Sequence, residues 1–451
     1  MQYIFLVPFL VALYYVATGQ REKAFLNVYL PCTFLLPSYY ALRIQHSPLE
    51  FSATTALLPI GISLLFSSPH RPKFRRMDLW IILFVLSYAA SEFLKEWDWR
   101  DAAFSVTNFA LMEMFMAYVV GRMIIEPNLR IETAKRITSL ILLLTPFVFI
   151  EFGLSKNIWL LLSQHLGLPG GGWFVQFRGG HARVAACFGD AILAGIVFMC
   201  AIAINFPLRQ IYKTNKNRLG PWMSKFQEFH IPILLFIVFL LLTRSRAPMG
   251  CAVLCLIILQ IPKYKNMRAA TAVVLILLAL SGTLIYYYLN KYTSTAEAYL
   301  SEEQSSAVYR RQMLVEYKPI LDEGGWLGYG IYHHPRVGGL ESIDNDYMLV
   351  QLSQGRLGLY LFVLIALESG WTAITYAIKF RSRESLFFVF GLLGALFGIF
   401  LSITTVYLGE QVQQILFLLI GWSQSLQDTD SEGTGPIEVT QSKFSFRRVF
   451  T

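Results

Sequence analysis

Long runs of apolar residues constrain this chain more than any other feature of its sequence. The chain is 55% hydrophobic and only 15% charged, whereas soluble domains carry roughly 25% charged residues. A helix needs about 20 mostly apolar residues to cross the hydrocarbon core of a bilayer, and many runs here meet or approach that length. Because lipid tolerates no unpaired backbone group and the runs are continuous rather than alternating, they predict membrane-spanning helices.

The pattern predicts an all-α, polytopic integral membrane protein with about twelve or thirteen transmembrane helices. Residues 1–426 are expected to form one transmembrane domain, in which 290–356 is an external loop or lid. The tail 427–451 is polar and is expected to be a disordered cytoplasmic segment. The expected spans are 2–18, 24–42, 50–66, 78–94, 102–122, 134–152, 187–206, 231–243, 247–262, 269–289, 357–378, 386–405 and 411–426.

The net charge of +9 is explained by membrane topology rather than by nucleic-acid binding. Of the 38 Lys and Arg residues, 24 lie in the tail and in short connections that alternate along the chain, which places that side in the cytoplasm. An odd number of spans then puts the N-terminus outside and the C-terminus inside. The N-terminus has no basic region of a signal peptide, so the first span is expected to be retained.

Several arginines fall on the external side, where the topology rule does not explain them. Arg244 and Arg246 lie in the short connection TRSRAPMG at or inside the interface, where a charge costs a few kcal/mol unless it is paired or hydrated. For any one arginine, a salt bridge or snorkelling is the alternative. Together they predict an anionic ligand, because a guanidinium donates two parallel hydrogen bonds to a phosphate. The arginines are Arg178, Arg183, Arg244, Arg246, Arg310 and Arg311.

Acidic residues inside the expected spans must find partners or stay neutral. For Glu113 and Glu368 we expect a structural hydrogen bond rather than a proton relay. Glu410 stands beside three glutamines, a group that could line a cavity or pack against another helix. The five cysteines form no CxxC pair, so the sequence predicts neither a metal site nor a disulfide framework. No P-loop is present, which argues against an ATP-driven device.

The longest polar loop ends in Asp344-Asn345, nine further residues, and Gly355-Arg356-Leu357-Gly358. This spacing resembles the motif of the bacterial O-antigen ligase and Wzy-type polymerase superfamily, in which His, then Asn, Ser or Gln, precedes nine residues, Gly, two residues and Gly, Thr or Tyr. Asp344 stands where the ligases have His. Upstream, the superfamily's Arg-x3-Leu is matched by Arg310 with Leu314, in a stretch that reads as an amphipathic helix ending near Pro319.

Three further stretches resemble the same superfamily in the same order. Arg183 with Phe188-Gly189 looks like its arginine before an apolar span, Arg246 like its Ser-Arg before a span, and WLGYG like its Gly-x-Gly turn. The resemblance covers residues 180–370 well and the first 150 by hydropathy alone. It implies a GT-C-like membrane glycosyltransferase with a large periplasmic loop, in the bacterial inner membrane, with its active site on the periplasmic side.

The resemblance also implies a chemistry. A hydroxyl of an acceptor sugar attacks the anomeric carbon of a sugar on undecaprenyl pyrophosphate, and the lipid pyrophosphate leaves. The six arginines would hold that pyrophosphate and stabilise its developing charge, with no metal and no cofactor. Asp344 would act as the general base, or one of His333 and His334. Simple alternatives remain: a surface role for the histidines, and a helix N-cap for Asp344-Asn345-Asp346.

Because the His of the ligase motif is missing, the first hypothesis is a polymerase that joins lipid-linked repeat units. A ligase that moves glycan onto lipid A-core or another acceptor is the second. A polysaccharide flippase or transporter without catalysis is the alternative of another class, disfavoured because the chain shows no repeated halves. The expected partners are undecaprenyl-pyrophosphate-linked oligosaccharide, membrane lipid, a chain-length regulator and a flippase, but no nucleic acid.

Overall fold

A computed structural model of the chain describes residues 2–44, 47–67, 72–96, 98–167, 173–264, 266–274, 276, 302–340, 342–379 and 383–432. The first half begins with a 3-10 turn, Gln2–Leu6. It continues through α1 (Val7–Ala17), α2 (Arg21–Ala24), a π-helical turn Phe25–Tyr29, α3 (Leu30–Leu35), β1 (Ala41–Arg43), β2 (Glu50–Ser52), a 3-10 turn Ala53–Ala56, α4 (Leu57–Ser67), α5 (Arg76–Lys95), α6 (Trp99–Ser105), a π-helical segment Val106–Met116, α7 (Ala117–Ile124), α8 (Pro127–Leu143), α9 (Thr145–Leu154) and α10 (Ile158–Leu166).

The second half begins with a small hairpin, β3 (Phe177–Arg178) and β4 (His181–Ala182). It continues through α11 (Ala191–Asn215), a 3-10 turn Lys216–Leu219, α12 (Pro221–Glu228), α13 (Ile231–Leu242), α14 (Arg246–Ile258), a 3-10 turn Ile261–Lys263, α15 (described for 267–274), α16 (Glu302–Glu323), α17 (Asp346–Lys379), α18 (Arg383–Ser402) and α19 (Glu410–Glu432).

The protein is mostly helical, and its helices support a membrane location. Among the described residues, seven helices are long and apolar enough to cross a membrane, or eight if α12 and α13, which are bent by 64°, form one span. The spans expected at 2–18 and 50–66 are shorter apolar helices here, and the one expected at 24–42 is broken into α2, a π-helical turn and α3. The expected span at 269–289 lies mostly outside the described residues. The higher count therefore stays a prediction.

Helix α19 contains the span expected at 411–426 and is long enough to cross a membrane. Because of its glutamines and serines, it is less apolar than the seven helices counted above. It runs to Glu432, six residues into the expected tail; the rest of the tail lies outside the described residues. Gly121 of α7 and Gly421 of α19 let the two helices approach closely, because a Cβ on Gly121 would lie 2.2 Å from the Leu418 carbonyl oxygen. Small residues at helix crossings permit this packing in membranes.

The core of the bundle is built around α11. This helix is almost entirely buried and packs against α8, α13, α14 and α18. One apolar cluster extends from Phe5 to Leu426. A smaller apolar cluster joins α16 to the start of α17 through Met313, Tyr317, Met348 and Leu352.

The expected end of the amphipathic helix at Pro319 is wrong. Helix α16 continues to Glu323 with Pro319 inside it. A proline removes one backbone donor and strains the preceding turn, which a helix anchored by packing can tolerate. Within this helix Met313 and Tyr317 are buried, whereas Leu314 is exposed.

The connections between helices meet at two opposite ends of the bundle. At one end, which we call the loop end, the Val184 N–H donates to the Leu242 carbonyl and the Asp346 N–H to the Ile403 carbonyl. At the other end, Arg122 forms an ion pair with Asp78. Each of these contacts joins two segments that the distribution of basic residues assigns to the same side of the membrane.

At the loop end, a break in α17 forms hydrogen bonds with the loop that precedes this helix. Gly355 has φ 69° and ψ −165° inside this helix, so the carbonyls of Leu352 and Ser353 lose the partners that a continuous helix would provide. They accept instead from the N–H groups of Tyr329 and Gly330, at 2.8 and 3.0 Å. In return, the N–H groups of Arg356 and Leu357 donate to the Gly325 and Trp326 carbonyls, at 3.0 and 3.2 Å. We call these four bonds the kink pairing.

Two glycines and a serine make the kink pairing possible. A Cβ on Gly355 would lie 2.4 Å from the Trp326 carbonyl, and one on Gly328 would lie 2.5 Å from the Gly355 nitrogen. Both glycines also have positive φ, which side chains disfavour. The Ser91 hydroxyl of α5 lies 2.5 Å from the Ser353 carbonyl oxygen and so connects the kink to a third element.

The kink pairing predicts that Gly355→Ala destabilises the protein by about 3 kcal/mol, because the new methyl group combines backbone strain with a steric clash. Thermal unfolding of the purified protein in detergent measures this. Gly370→Ala in the same helix is the matched control, since a Cβ there meets nothing within 4 Å. Equal melting temperatures for the two variants would contradict this account of Gly355.

Candidate functional site

The first arginines of the site are presented by the β3–β4 hairpin. Phe177 pairs with Ala182 and Arg178 with His181, and the two connecting residues, Gly179 and Gly180, have φ of 56° and 74°. Two consecutive glycines at positive φ favour a two-residue hairpin turn. The turn therefore places Arg178 on one strand and Arg183 directly after the other.

Arg183 is buried, with 7% of its surface exposed, and is held by neutral acceptors. Its Nε donates to the Thr243 carbonyl at 3.1 Å, its Nη1 to Gln176 Oε1 at 2.9 Å, and its Nη2 to Ser245 Oγ at 2.9 Å. Within the described part of the chain, Arg183 forms no salt bridge with a carboxylate. Burial lowers the pKa of Arg183 to about 10, so the side chain stays charged at neutral pH.

Asp190 is the carboxylate that counteracts the lowering of the Arg183 pKa. Both of its oxygens, however, accept hydrogen bonds from other groups. One accepts from Gln176 Nε2 at 2.8 Å and the other from the Ile192 N–H at 2.5 Å, which caps α11. Gln176 thus joins the arginine to the acid without a direct ion pair. The positive charge of Arg183 is offset only at a distance.

Arg178 and Arg244 fix each other across the site. Arg178 Nη1 donates to the Arg244 carbonyl at 2.9 Å, and Arg244 Nη1 donates to the Arg178 carbonyl at 2.6 Å. Arg244 has φ 51°, a left-handed conformation that non-glycine residues rarely adopt. This pair and the bonds of Arg183 attach the hairpin to the connection between α13 and α14.

Arg310 of α16 completes the group. Its Nη2 lies 3.9 Å from Asp344 Oδ2, and its Nε is buried without a hydrogen-bond partner in the described structure. Burial lowers the pKa of Arg310, an effect that Asp344 opposes and Arg178 reinforces. Arg178 and Arg310 both also lower the pKa of Arg183. These three arginines, which we call the arginine cluster, are therefore close enough to repel one another.

The other two candidate arginines lie at the edge of this group. Arg246 is the first residue of α14, directly after Ser245, and is exposed. Arg311 follows Arg310 in α16 and is also exposed.

The three candidate bases occupy different surroundings. Asp344 accepts from Ser342 Oγ at 2.7 Å and faces Arg310. His333 Nε2 lies 2.6 Å from Glu96 Oε2, and His334 Nδ1 lies 2.9 Å from the Ile331 carbonyl oxygen. The bonds of both histidines thus go to α5 and to their own loop rather than to the arginine cluster.

His334 keeps one ring nitrogen that can accept a proton. Burial lowers the pKa of His334, so its ring is neutral at neutral pH. Since Nδ1 faces a carbonyl oxygen, Nδ1 carries the proton and Nε2 carries the lone pair.

The N-cap alternative is confirmed for one residue of Asp344-Asn345-Asp346. Asn345 Oδ1 accepts from the Met348 N–H at 3.1 Å and caps α17. Asp346 is buried, and its Oδ1 accepts from the Leu408 N–H at 2.9 Å. Asp344 stands outside the cap, facing Arg310.

The structure contains a feature that the sequence did not reveal, a cavity of about 370 Å³ inside the bundle. Three carboxylates and three glutamines line it, together with aromatic rings. The cavity residues used below are Tyr88, Phe109, Glu113, Trp173, Asp346, Tyr407, Glu410, Gln411 and Gln413. The only prior signal was the row of Glu410 and glutamines, for which a cavity was one of two alternatives.

The acidic residues inside the expected spans differ in whether they have a partner in the described structure. Glu368 has a structural partner as expected, an ion pair of 3.4 Å with Arg76. The expectation of a satisfied Glu113 is wrong, because Glu113 Oε2 is buried with no hydrogen-bond partner among the described residues. In the same part of the chain, no group of three or more His, Cys, Asp or Glu side chains could hold a metal ion.

The bonding of Arg183 predicts that Arg183→Lys destabilises the protein by about 2 kcal/mol, because one ammonium group cannot reach three buried acceptors in different directions. Thermal unfolding in detergent measures the loss. Arg246→Lys is the control and changes the stability by less than about 0.5 kcal/mol, since this side chain is exposed. A melting temperature for Arg183→Lys equal to that of wild type would show that these bonds contribute little.

Comparison of the sequence with models of protein families and with curated proteins found no match in either. The likeness to the ligase and polymerase superfamily therefore depends on the quoted motifs.

Proposed function

We propose that the protein is a glycosyltransferase that polymerises undecaprenyl-pyrophosphate-linked oligosaccharide units at the loop end. The observation that carries this proposal is the arginine cluster, and above all Arg183, whose buried charge is held by neutral acceptors in the described part of the chain. A buried charge without an adjacent counter-ion is costly. An anionic ligand that approaches the cluster would lower that cost.

Pyrophosphate is the anion that best suits this cluster. It offers several oxygens to planar guanidinium groups, each of which can donate two parallel hydrogen bonds. Arg310 keeps a buried Nε without a partner in the described structure, and Arg246 at the edge is exposed. The arginines come from three separate connections, so they can surround a ligand rather than bind it from one side.

The reaction balances without a metal or a cofactor. An acceptor hydroxyl oxygen forms a bond to the anomeric carbon of the donor sugar, while the bond from that carbon to the phosphate oxygen breaks. Its electron pair leaves on the lipid pyrophosphate, and the hydroxyl proton passes to a base. The charge that grows on the leaving oxygen would be stabilised by the arginine cluster, since fixed cations favour the transition state over the ground state.

Asp344 is our first choice for the base. It is half-buried, bonded to Ser342, and 3.9 Å from Arg310, a distance at which the pair is loose. The same contact would hold Asp344 next to the leaving group. His334, with a lone pair on Nε2, and His333, bonded to Glu96, are the alternatives.

In this proposal the protein lies in the bacterial inner membrane, with twelve or thirteen spans, a GT-C-like arrangement and the loop end facing the periplasm. The loop 290–356, whose described part begins at Glu302, would act as a lid over the arginine cluster. The proposed partners are the lipid-linked oligosaccharide, the surrounding lipid, a flippase that delivers the units and a chain-length regulator. The ligase reading differs only in the acceptor.

The proposal predicts that the purified protein in detergent converts lipid-linked repeat units into longer chains, and that EDTA does not stop it. The substrate is the lipid-linked oligosaccharide extracted from cells that lack this protein. Arg310→Lys slows chain growth about a hundredfold, the typical loss when one stabilising donor is removed. Gel separation of the labelled glycan measures the products. A flippase without catalysis would yield no longer chains, which would contradict the proposal.

The same assay separates the remaining alternatives. Asp344→Asn slows turnover if Asp344 is the base. If only His334→Gln abolishes turnover, His334 is the base instead. In cells that lack the protein, accumulated single units indicate a polymerase, whereas long unattached polymer indicates a ligase.

A further inference from the structure

The cavity inside the bundle lies next to the elements that carry the arginine cluster. Trp173, which lines it, precedes the β3–β4 hairpin by four residues and packs on Gly189, where a Cβ would lie 2.9 Å from its ring. Ser353 of the kink pairing also lines it. Its volume of about 370 Å³ falls in the range of roughly 300–1,000 Å³ that is usual for small-ligand sites.

Glu113 is a buried acceptor that lacks a partner. It is 5% exposed and lines the cavity, and its Oε2 has no hydrogen bond within the described chain. It belongs to the π-helical segment Val106–Met116. π-Helical segments are rare and frequently occur at functional sites. A buried carboxylate oxygen left without a donor is costly, so this position favours a ligand that supplies one.

Gln413 lines the same cavity and carries a donor that lacks an acceptor in the described part of the chain. Its Nε2 is buried and has no acceptor among the described residues. A neighbouring glutamine, Gln411, is satisfied by the carbonyls of Thr33 and Leu36. Among the buried side-chain atoms of the described residues that line the cavity, Glu113 Oε2 is an unpaired acceptor and Gln413 Nε2 an unpaired donor. A cation would satisfy the first and not the second, whereas a hydroxyl group both donates and accepts.

Glu410 also lines the cavity, and its side chain is accessible rather than packed. Burial raises the pKa of Tyr407 to about 12, and the carboxylates of Asp190, Asp344 and Glu410 add to this effect. Tyr407, which also lines the cavity, is therefore within electrostatic reach both of the acid facing Arg310 and of the acid inside the cavity.

We propose that this cavity binds the acceptor sugar, with Glu113 and Glu410 accepting hydrogen bonds from its ring hydroxyls and Gln413 donating one. The inference rests on the proposed function and assigns the acceptor half of that reaction. Tyr88, Phe109 and Trp173 supply apolar faces for the C–H side of a sugar ring. The acceptor hydroxyl would then approach the donor pyrophosphate from the side of Trp173, which lines the cavity and precedes the hairpin that carries Arg178.

The test uses a probe that lacks the pyrophosphate and so cannot use the arginine cluster. The probe is the free oligosaccharide unit, released by mild acid from the lipid-linked unit of cells that lack this protein. It inhibits chain growth by the wild-type protein, and calorimetry detects its binding. Glu113→Gln, Glu410→Gln and Gln413→Ala each weaken inhibition and binding about five- to tenfold, the effect of losing one hydrogen bond or its charge.

The matched control is Glu368→Gln, which changes a carboxylate paired with Arg76 outside the cavity and leaves inhibition unchanged. Thermal unfolding of each variant excludes a folding defect, and Glu410→Gln at an exposed side chain gives a second readout if Glu113→Gln does not fold.

Chain growth with no inhibition by the probe, or with equal inhibition in all variants, overturns the acceptor assignment alone. A wild-type protein that binds the probe but never lengthens chains overturns the proposed function and leaves a sugar-binding cavity. Sodium-dependent stabilisation lost in Glu113→Gln, with no sugar binding, would assign a cation site instead.

Discussion

The loop end of this protein depends on four backbone hydrogen bonds between the break in α17 and residues 325–330. The break exposes two carbonyls and two N–H groups inside a hydrophobic bundle, where unpaired backbone groups are costly. The loop satisfies all four, and in doing so it is held at a fixed position. The same loop carries Arg310, Asp344 and the histidines, so the pairing attaches the segment that holds them to α17.

The second constraint is the burial of charge. Arg183 is surrounded by a carbonyl, an amide and a hydroxyl, which orient it and satisfy its donors but leave its charge in place. Such an arrangement keeps a cation ready for an anion at the expense of stability. The contrast with Arg122, which is buried beside Asp78 at the opposite end, is informative. Arg122 has an acidic partner, whereas Arg183 has none among the described residues.

Much of this architecture follows from sequence patterns, and the exceptions have physical reasons. Apolar runs predict the helices, and the spread of Lys and Arg groups the segments that meet at each end. The hairpin at Arg178 has a sequence signal, two adjacent glycines between short strands, but that signal is weak on its own in so short a segment. The role of Gly355 was seen only as a motif match, because a helix break is visible only when its partner loop is known. The cavity could not be predicted, since Glu113 and Gln413 lie 300 residues apart and share a wall only through packing. For the same reason, the satisfied state of Glu368 and the unsatisfied state of Glu113 were indistinguishable in sequence.

The most direct test of the account is whether the arginine cluster binds pyrophosphate on a lipid. The purified protein is titrated with undecaprenyl pyrophosphate and, separately, with undecaprenol, and thermal unfolding is followed in both series. We expect the pyrophosphate lipid to raise the melting temperature strongly and undecaprenol to raise it little, because binding to the native state alone stabilises by mass action. The difference should largely disappear in Arg310→Ala. Equal stabilisation by both lipids would contradict the claim that these arginines form the site.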